Sequence, residues 1–477
     1  MSAPLWTLDE IVAATGARVG SGFAQASGAS IDTRTLNPGD LYFAIKGDVH
    51  DGHDFVPAAL EKGASAAVVS MEKAPHFEGS DRLIVVPDVL EAMRQLGIAA
   101  RKRSTAKIVA ITGSVGKTGT KEAMRLALSR QGATHASVAS YNNHWGVPLT
   151  LARMPRETEF GIFEIGMNHA GEILPLTAMV RPHVVVITTI EPVHIEFFPS
   201  LWGIADAKGE IFAGIEPGGT AIINRDSPYF ERLRAHALAS NAGRVVSFGE
   251  SEAADIRAER IVVKPDFSIV EARIFGEPLT YRIGTAGRHI ALNSLSVLAA
   301  SHALGVDPAP VAQSFVELKP PVGRGERTVL SVGSGEALLI DESYNANPAS
   351  VRAALSNLGA VELAPQGRRI AVLGDMKELG DKAPGLHEGL AEAVEANGID
   401  LVFAAGPLMQ NLVDLLPKAK IAAHTATSAE LADAVCAVLR PGDAVMVKGS
   451  LSMKMALIVK AMKERYGASH AAHALKG

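Results

Sequence analysis

Cysteine is almost missing from this chain of 477 residues: Cys436 is the only one, so no internal disulfide can form. Its apolar neighbours in "SAELADAVCAVLRPGD" point to a packing role, and a chain without disulfides fits a reducing compartment. No apolar run approaches the roughly 18 residues that a membrane span needs. The amino terminus, "MSAPLWTLDEIVAATGA", is acidic where a secretory signal carries positive charge. A cytoplasmic protein is expected. Positive charge is not in excess either: 46 Lys and Arg against 51 Asp and Glu leave a net charge of −5. That balance argues against non-specific nucleic-acid binding, so a polyanionic ligand would have to meet locally concentrated cations. No internal repeat or low-complexity tract stands out.

What is present is a large soluble-type composition, 47% hydrophobic and 20% charged, too long for one core. The fold class expected is α/β in three domains. Residues 1–86 read as a small α/β domain of short strands and turns, such as "ASIDTRTLNPGDLYFAIKG", "GASAAVVS" and "RLIVVPD". A helical stretch from Asp88 to Arg103 follows. Residues 87–318 alternate buried-type strands ("KIVAIT", "EFGIFEIG", "HVVVITTI", "GTAIIN", "RVVSFG") with helix-length segments, the pattern of a parallel sheet covered on both faces. Within it, 256–283 alternates with turn signals and reads as an antiparallel appendage. The linker "ELKPPVGRGER" then opens residues 319–477, a second doubly wound, Rossmann-like unit with four strands, "ALLIDES", "RRIAVLGDM", "DLVFAAG" and "DAVMVKGS". The tail "GASHAAHALKG" is expected to fray.

The most informative stretch is "AITGSVGKTGTKEAM". A strand enters a glycine-bearing turn that ends in Gly116-Lys117-Thr118, although the usual phosphate-loop spacing would put a glycine where Ile111 stands. In such a turn, Thr112, Gly113, Ser114, Val115 and Gly116 present backbone N–H groups to an anion at a helix N-terminus. Lys117 supplies a point charge for phosphates and Thr118 can hold Mg²⁺. The loop alone does not say which reaction follows. Two further places carry candidate chemistry: Glu164, ending an apolar strand, and His194, past the strand "HVVVITTI", with Lys208 fourteen residues later on a helical run. Each taken singly is more often structural than catalytic.

Together, the shortened loop T-G-S-x-G-K-T, the strand-end glutamate and the histidine before an Ala-Lys resemble the Mur ligase family of ATP-dependent amide-forming enzymes. The resemblance implies a central P-loop ATPase domain in which Glu164 and His194, with Thr118, bind Mg²⁺. It also implies that Lys208 carries a carbamate made from CO₂, an anion suited to a hard cation where an ammonium would be repelled. "SIDTRTLNPGDLYFAIKGDVHDGHDF" is similar to the family's domain for the UDP end of a sugar-nucleotide, which assigns Ser30, Asp32, Thr33, Arg34, Lys46, Asp51 and His53 to substrate. "NNHWGVPLTL" is similar to its substrate loop, with Asn142 and Asn143. "GRHIALNSLSVLAA" places Asn293 at the adenine.

"GRGER", "DESYNANPAS" and "VLGDMKELG" resemble the members that join D-alanyl-D-alanine to UDP-N-acetylmuramoyl-tripeptide through an acyl phosphate. Arg324, Asp341 and Tyr344 are expected on ATP, and Asn345, Asn347, Asp375 and Lys448 on the dipeptide side. Asp341 and Tyr344 are both placed just after a strand. The C-terminal domain is expected to close as a lid, and the protein to be a monomer. Departures from the family pattern are Gly119 in place of a hydroxyl residue, Pro192-Val193 before the histidine, and Ala456 in place of a glutamate. The alternatives are a related ligase adding a different amino acid and, from another class, a P-loop kinase.

Overall fold

The computed structural model of the chain describes residues 4–47, 49–138 and 140–467. Besides a two-stranded ladder of Trp6–Thr7 and Gln25–Ala26, three larger sheets follow one another along the sequence, a three-domain α/β architecture. The first runs in the order Arg18–Val19, Leu83–Val86, Ala66–Ser70, Asp40–Phe43, Gly28–Ser30, parallel throughout except for the first pair. Asp40–Phe43 is buried along its whole length, as an inner strand of a parallel sheet must be. The helix Val89–Arg103 leads out of this sheet. The Asp88 side chain accepts from the Glu91 N–H at its start, and Arg101 to Arg103 sit at the negative end of its dipole.

The central sheet has nine strands, and its order positions the site. Lys107–Thr112 lies between Phe160–Glu164 and Val184–Ile187, both parallel to it. Ile111 is level with Glu164, and Thr112 with Ile187. The chain therefore leaves three neighbouring strands at the same height and on the same edge, where open α/β sheets gather ligands. The segment expected as an appendage is a continuation of this sheet. Ile256–Val263 pairs parallel with Ala242–Gly249 over Phe248↔Ile256 and Gly249↔Arg257, then antiparallel strands Ser268–Ile274 and Glu277–Ile283 follow.

The third sheet has six strands, not four. Its order is Glu326–Val332, Gly335–Glu342, Ala444–Lys448, Arg369–Gly374, Leu401–Ala405, Ile421–Thr425. The two unexpected strands are its edges. Glu326–Val332, which starts inside the stretch read as linker, forms an antiparallel hairpin with Gly335–Glu342. Ile421–Thr425 keeps no fully buried residue. Thr134–Ala136, at an edge of the central sheet, was likewise unannounced and is only half-buried. Cys436 is buried in the helix Ser428–Val438, as its neighbours suggested. The frayed tail expected beyond Gly467 lies outside the described residues.

The domains are packed together. Trp6 Nε1 donates to Ala152 O at 2.8 Å and Arg153 Nε to Ala29 O at 2.6 Å, while Arg103 lies 4.0 Å over the Trp6 ring. On the other side, one contiguous apolar cluster contains Ile190 and Ile195 of the central domain with Ala346, Met376 and Leu379 of the third. The turns at 194–197 and 378–382 are so close that a Cβ on Gly380 would lie 2.9 Å from Glu196 Cβ.

Candidate active site

The phosphate-type loop is a tight backbone turn between Lys107–Thr112 and the helix Lys117–Leu128. Gly113 has φ +146°, and a Cβ there would lie 1.9 Å from Thr188 Oγ1. Gly116 has φ +87°, with Asn293 Nδ2 2.4 Å from where its Cβ would be. Thr188 in turn donates to Val115 O at 2.6 Å, and Ser114 N to Thr189 O at 2.8 Å, so the loop is tied to the chain leaving Val184–Ile187. Thr112, buried, ends the preceding strand. No side chain caps the helix that follows, which leaves its first-turn N–H groups for a ligand and its positive dipole end facing the loop. Lys117 Nζ donates to Gly113 O at 2.7 Å across the turn.

Glu164 sits at the end of its strand with 1% exposure. Its carboxylate accepts from Thr118 Oγ1 at 3.0 Å and from Asn142 Nδ2 at 2.7 Å. His194 lies seven residues past Val184–Ile187, on a left-handed backbone at φ +58°. Lys208 is buried on the helix Leu201–Gly209, whose first turn is capped by Ser200. The electrostatics join these groups. Burial, above all, lowers the Lys117 ammonium's pKa; nearby Glu164 opposes this and Arg324 adds to it. Lys208 is held well below 10.5 by burial and then by the charge of Lys117. His194 is lowered by burial and by Lys117 and Lys208, with Glu378 opposing. Lys117, Glu164, His194 and Lys208, from four separate segments, thus share one cleft.

Among the described residues, no three His, Cys, Asp or Glu side chains gather as a metal-binding group. The Glu164 carboxylate and the Thr118 hydroxyl meet here at 3.0 Å, and with the His194 imidazole, which feels the Lys117 charge, they fit a cation that takes few protein ligands. Magnesium does so, keeping waters and phosphate oxygens. A neutral Lys208 amine would add nothing to such a site, whereas its carbamate would add an anion.

From the third domain, Arg324 lies 4.1 Å over the Tyr344 ring and its charge reaches Lys117. Lys448, buried and lowered by desolvation, donates to Asn345 O at 2.9 Å and pairs with Glu342 at 3.4 Å. Several expected ligand residues are occupied by the fold itself. Asp341 lies inside the strand Gly335–Glu342 rather than after it, buried, and accepts from Ser343 N and Oγ at 3.0 and 2.6 Å. Asn345 Oδ1 accepts from Ala346 N, and Asn347 caps the helix Pro348–Gly359 through Ser350 N. Asp375 is fully buried, accepting from Met409 N at 2.9 Å and Lys377 Nζ at 2.8 Å.

In the first domain, Asp32 and Asp51 flank Tyr42, whose hydroxyl burial and these charges push up to about 12. Arg34 pairs with Asp32 at 2.6 Å and extends to solvent beside Tyr141, which joins this cluster to the loop holding Asn142. Asp32 N donates to Ser30 Oγ, Thr33 O accepts from Lys62, and Lys46 and Asp51 pair through their backbones in an isolated antiparallel bridge. Both ring nitrogens of His53 are used internally, Nδ1 with Asp51 at 2.7 Å and Nε2 accepting from Ser70 N at 3.1 Å, so none is left for a ligand. Asn143 Oδ1 accepts from Trp145 N and Gly146 N and shapes the loop. Sequence reasoning missed Glu378, which touches His194 from the third domain. Its signal was an acidic residue four positions past the strand Arg369–Gly374, in the motif where Asp375 was chosen instead.

Family models match three consecutive parts of this chain: the Mur ligase family catalytic domain over 25–111, the Mur ligase middle domain over 111–301, and the Mur ligase glutamate ligase domain over 323–451. The chain belongs to the Mur ligase family. Among the Mur ligases, it is 31% identical to the UDP-N-acetylmuramoyl-tripeptide–D-alanyl-D-alanine ligase of Rickettsia prowazekii over 455 residues, 95% of this chain and 99% of that protein. The Escherichia coli enzyme of the same name is 32% identical, with 91% and 93% covered. Of solved Mur ligases, MurF from Acinetobacter baumannii superimposes with a TM-score of 0.83 at 28% identity, covering 97% of this chain and 99% of that one. MurF from Thermotoga maritima, solved with ADP, gives 0.75 at 25% identity over 92% and 97%. No helix among the described residues is long and apolar enough to cross a membrane.

Proposed function

We propose that the chain joins D-alanyl-D-alanine to UDP-N-acetylmuramoyl-tripeptide at the expense of ATP, a cytoplasmic step of peptidoglycan precursor synthesis. The observation that carries this reading is the convergence of Lys117, Glu164, His194 and Lys208 at the outlet of three neighbouring strands. A carboxylate does not condense with an amine because oxide is too poor a leaving group. Transfer of the γ-phosphoryl group to the tripeptide carboxylate solves this, with ADP leaving. The dipeptide amine then attacks the acyl carbon, loses its proton, and expels inorganic phosphate.

Lys117 and the uncapped helix N-terminus hold the phosphates and offset charge on the transferring group. Arg324 approaches from the third domain, and Tyr344 holds its guanidinium in place. Magnesium, when bound, would supply charge neutralisation for the transferring phosphoryl group. Glu164, Thr118 and His194 would hold it. Burial and the Lys117 charge favour the neutral Lys208 amine, the form that adds to CO₂ to give a carbamate and a proton. Asp32, Arg34 and the loop at Tyr141 and Asn142 would hold the sugar-nucleotide, a reading supported by the Arg34–Asp32 pair and by Asn142 donating to Glu164.

Inorganic phosphate release is the test. It is expected only when ATP, the UDP-linked tripeptide and D-alanyl-D-alanine are all present. A stable phosphorylated product formed without the amine would establish a kinase instead, and turnover with a single amino acid in place of the dipeptide a different ligase. In buffer stripped of CO₂ the rate should fall and recover on adding bicarbonate; a rate indifferent to CO₂ would remove the carbamate from the scheme.

A further inference from the structure

Two non-glycine residues on left-handed backbone face each other across the junction of the second and third domains: His194 at φ +58° and Glu378 at φ +63°. Such conformations are unfavourable for side-chain-bearing residues and persist only where the surroundings impose them. The surroundings of Glu378 are well defined. Met376 N donates to His387 Nε2 at 3.0 Å, Lys377 N to Ser450 Oγ at 2.9 Å, and Lys377 Nζ to the buried Asp375 at 2.8 Å. The next residue, Leu379, is buried in the cluster shared by the two domains. The segment is anchored on both sides, and the one side chain it sends outward ends with Oε2 2.5 Å from His194 Nδ1.

That nitrogen is buried and finds no well-aligned hydrogen-bond partner, so the Glu378 carboxylate is the group on hand to satisfy it. A neutral imidazole whose Nδ1–H faces a carboxylate exposes its Nε2 lone pair. Histidines that bind metals are commonly held this way, the second nitrogen donating to a carboxylate that fixes tautomer and ring angle.

We propose that Glu378 is a positioning residue for the ligase reaction: reaching from the third domain, it fixes His194 with Nε2 free for magnesium, so that the metal site is complete only when that domain is docked. This rests on the ligase reading above. It adds that docking of the third domain assembles the metal site in the second as well as covering it. The sequence separation between the two residues, and their location in different domains, make the contact a direct readout of closure.

The test uses the full-length protein and three substitutions. Glu378→Ala removes the acceptor, Glu378→Gln keeps an acceptor oxygen without the charge, and Glu378→Gly removes the side chain while relieving the left-handed backbone. The Gly variant should melt no lower than the wild type, which separates function from folding. With ¹⁵N-labelled histidine, the His194 signals, assigned by their loss in His194→Ala, should report an Nδ1–H tautomer in the wild type and in Glu378→Gln, and a changed tautomer in Glu378→Ala. The magnesium concentration giving half-maximal phosphate release should rise about 10- to 100-fold in Glu378→Ala and Glu378→Gly, and less in Glu378→Gln. An unchanged tautomer, or an unchanged magnesium requirement in Glu378→Ala, overturns the proposal. Failure of the wild type to release phosphate with the full substrate set would instead overturn the ligase reading, and the tautomer measurement would still decide the role of Glu378.

Discussion

Gly113→Ala is the sharpest steric probe of the phosphate loop. The new Cβ would lie 1.9 Å from Thr188 Oγ1 and 3.1 Å from both Thr188 Cβ and Thr188 N, so its neighbours include fixed backbone. The φ of +146° adds strain of order 1–3 kcal/mol for any residue with a Cβ. Overpacking a site that cannot relax adds about 1–3 kcal/mol more. Thr188 cannot swing away freely, because its hydroxyl holds Val115 O at 2.6 Å. The total, about 2–6 kcal/mol, must appear either as lost stability or, if the loop shifts to escape, as lost nucleotide affinity. The lower bound alone corresponds to about 30-fold in a dissociation constant. Calorimetric titration with a non-hydrolysable ATP analogue, together with chemical denaturation, measures both channels. A second substitution, Thr188→Ala, removes the closest atom but leaves the φ strain. The double variant should therefore recover part of the loss, with a coupling of at least about 1 kcal/mol. If Gly113→Ala binds nucleotide within threefold of the wild type and unfolds at the same denaturant concentration, the loop does not have this tight geometry.

Burial of Lys208 sets a pH-dependent stability. Its folded pKa lies well below 10.5, so between the two values the unfolded chain binds more protons and stability rises with pH. In CO₂-free buffer, Lys208→Met should therefore be more stable than the wild type at neutral pH, with the difference shrinking as pH approaches 10.5; denaturation midpoints across that range check it. Asp443 is fully buried and accepts from Arg368 N, Nε and Nη2 and from Arg440 N at 2.7–3.1 Å. Asp443→Ala should destabilise the third domain by about 3–5 kcal/mol, read as an early denaturation transition. Tyr344→Leu removes the ring beneath Arg324 and should lower kcat/KM for ATP by about 0.5–2 kcal/mol, roughly 2- to 30-fold, while Tyr344→Phe stays near the wild type.

The inner strands were legible because a strand buried on both faces needs a continuous apolar run, as in "KIVAIT" and "HVVVITTI". The edge strands Thr134–Ala136, Glu326–Val332 and Ile421–Thr425 carry exposed or half-buried residues, and their composition differs little from a loop's. The same contrast holds in the site. Lys117 was singled out by a loop whose spacing is dictated by phosphate size and Glu164 by its strand end, whereas His194 and Lys208 stood out only through the family resemblance. His53, Asn347 and Asp375 were drawn to ligands by their place in motifs, yet each is turned towards its own backbone or a neighbouring side chain. A motif fixes where the Cα lies, while the direction of the side chain depends on which backbone N–H groups need an acceptor nearby. Glu378 was hidden for the complementary reason. Its partner lies 184 positions earlier in another domain, and only packing brings the two together.

The charge in the cleft is one-sided, and this gives the fold its chemical direction. Burial and the Lys117 charge push Lys208 towards neutrality, and burial and Arg324 do the same to Lys117, while the Glu164 carboxylate opposes the shift of Lys117. A site that assembles cations against desolvation is destabilised until anions arrive. Each anion required by the proposed reaction relieves part of that imbalance: phosphates at Lys117 and Arg324, and the carbamate by converting Lys208 itself from a potential cation to an anion. Nucleotide should therefore stabilise the protein by more than its contacts alone supply, and most strongly at low ionic strength, where the uncompensated repulsion is least screened.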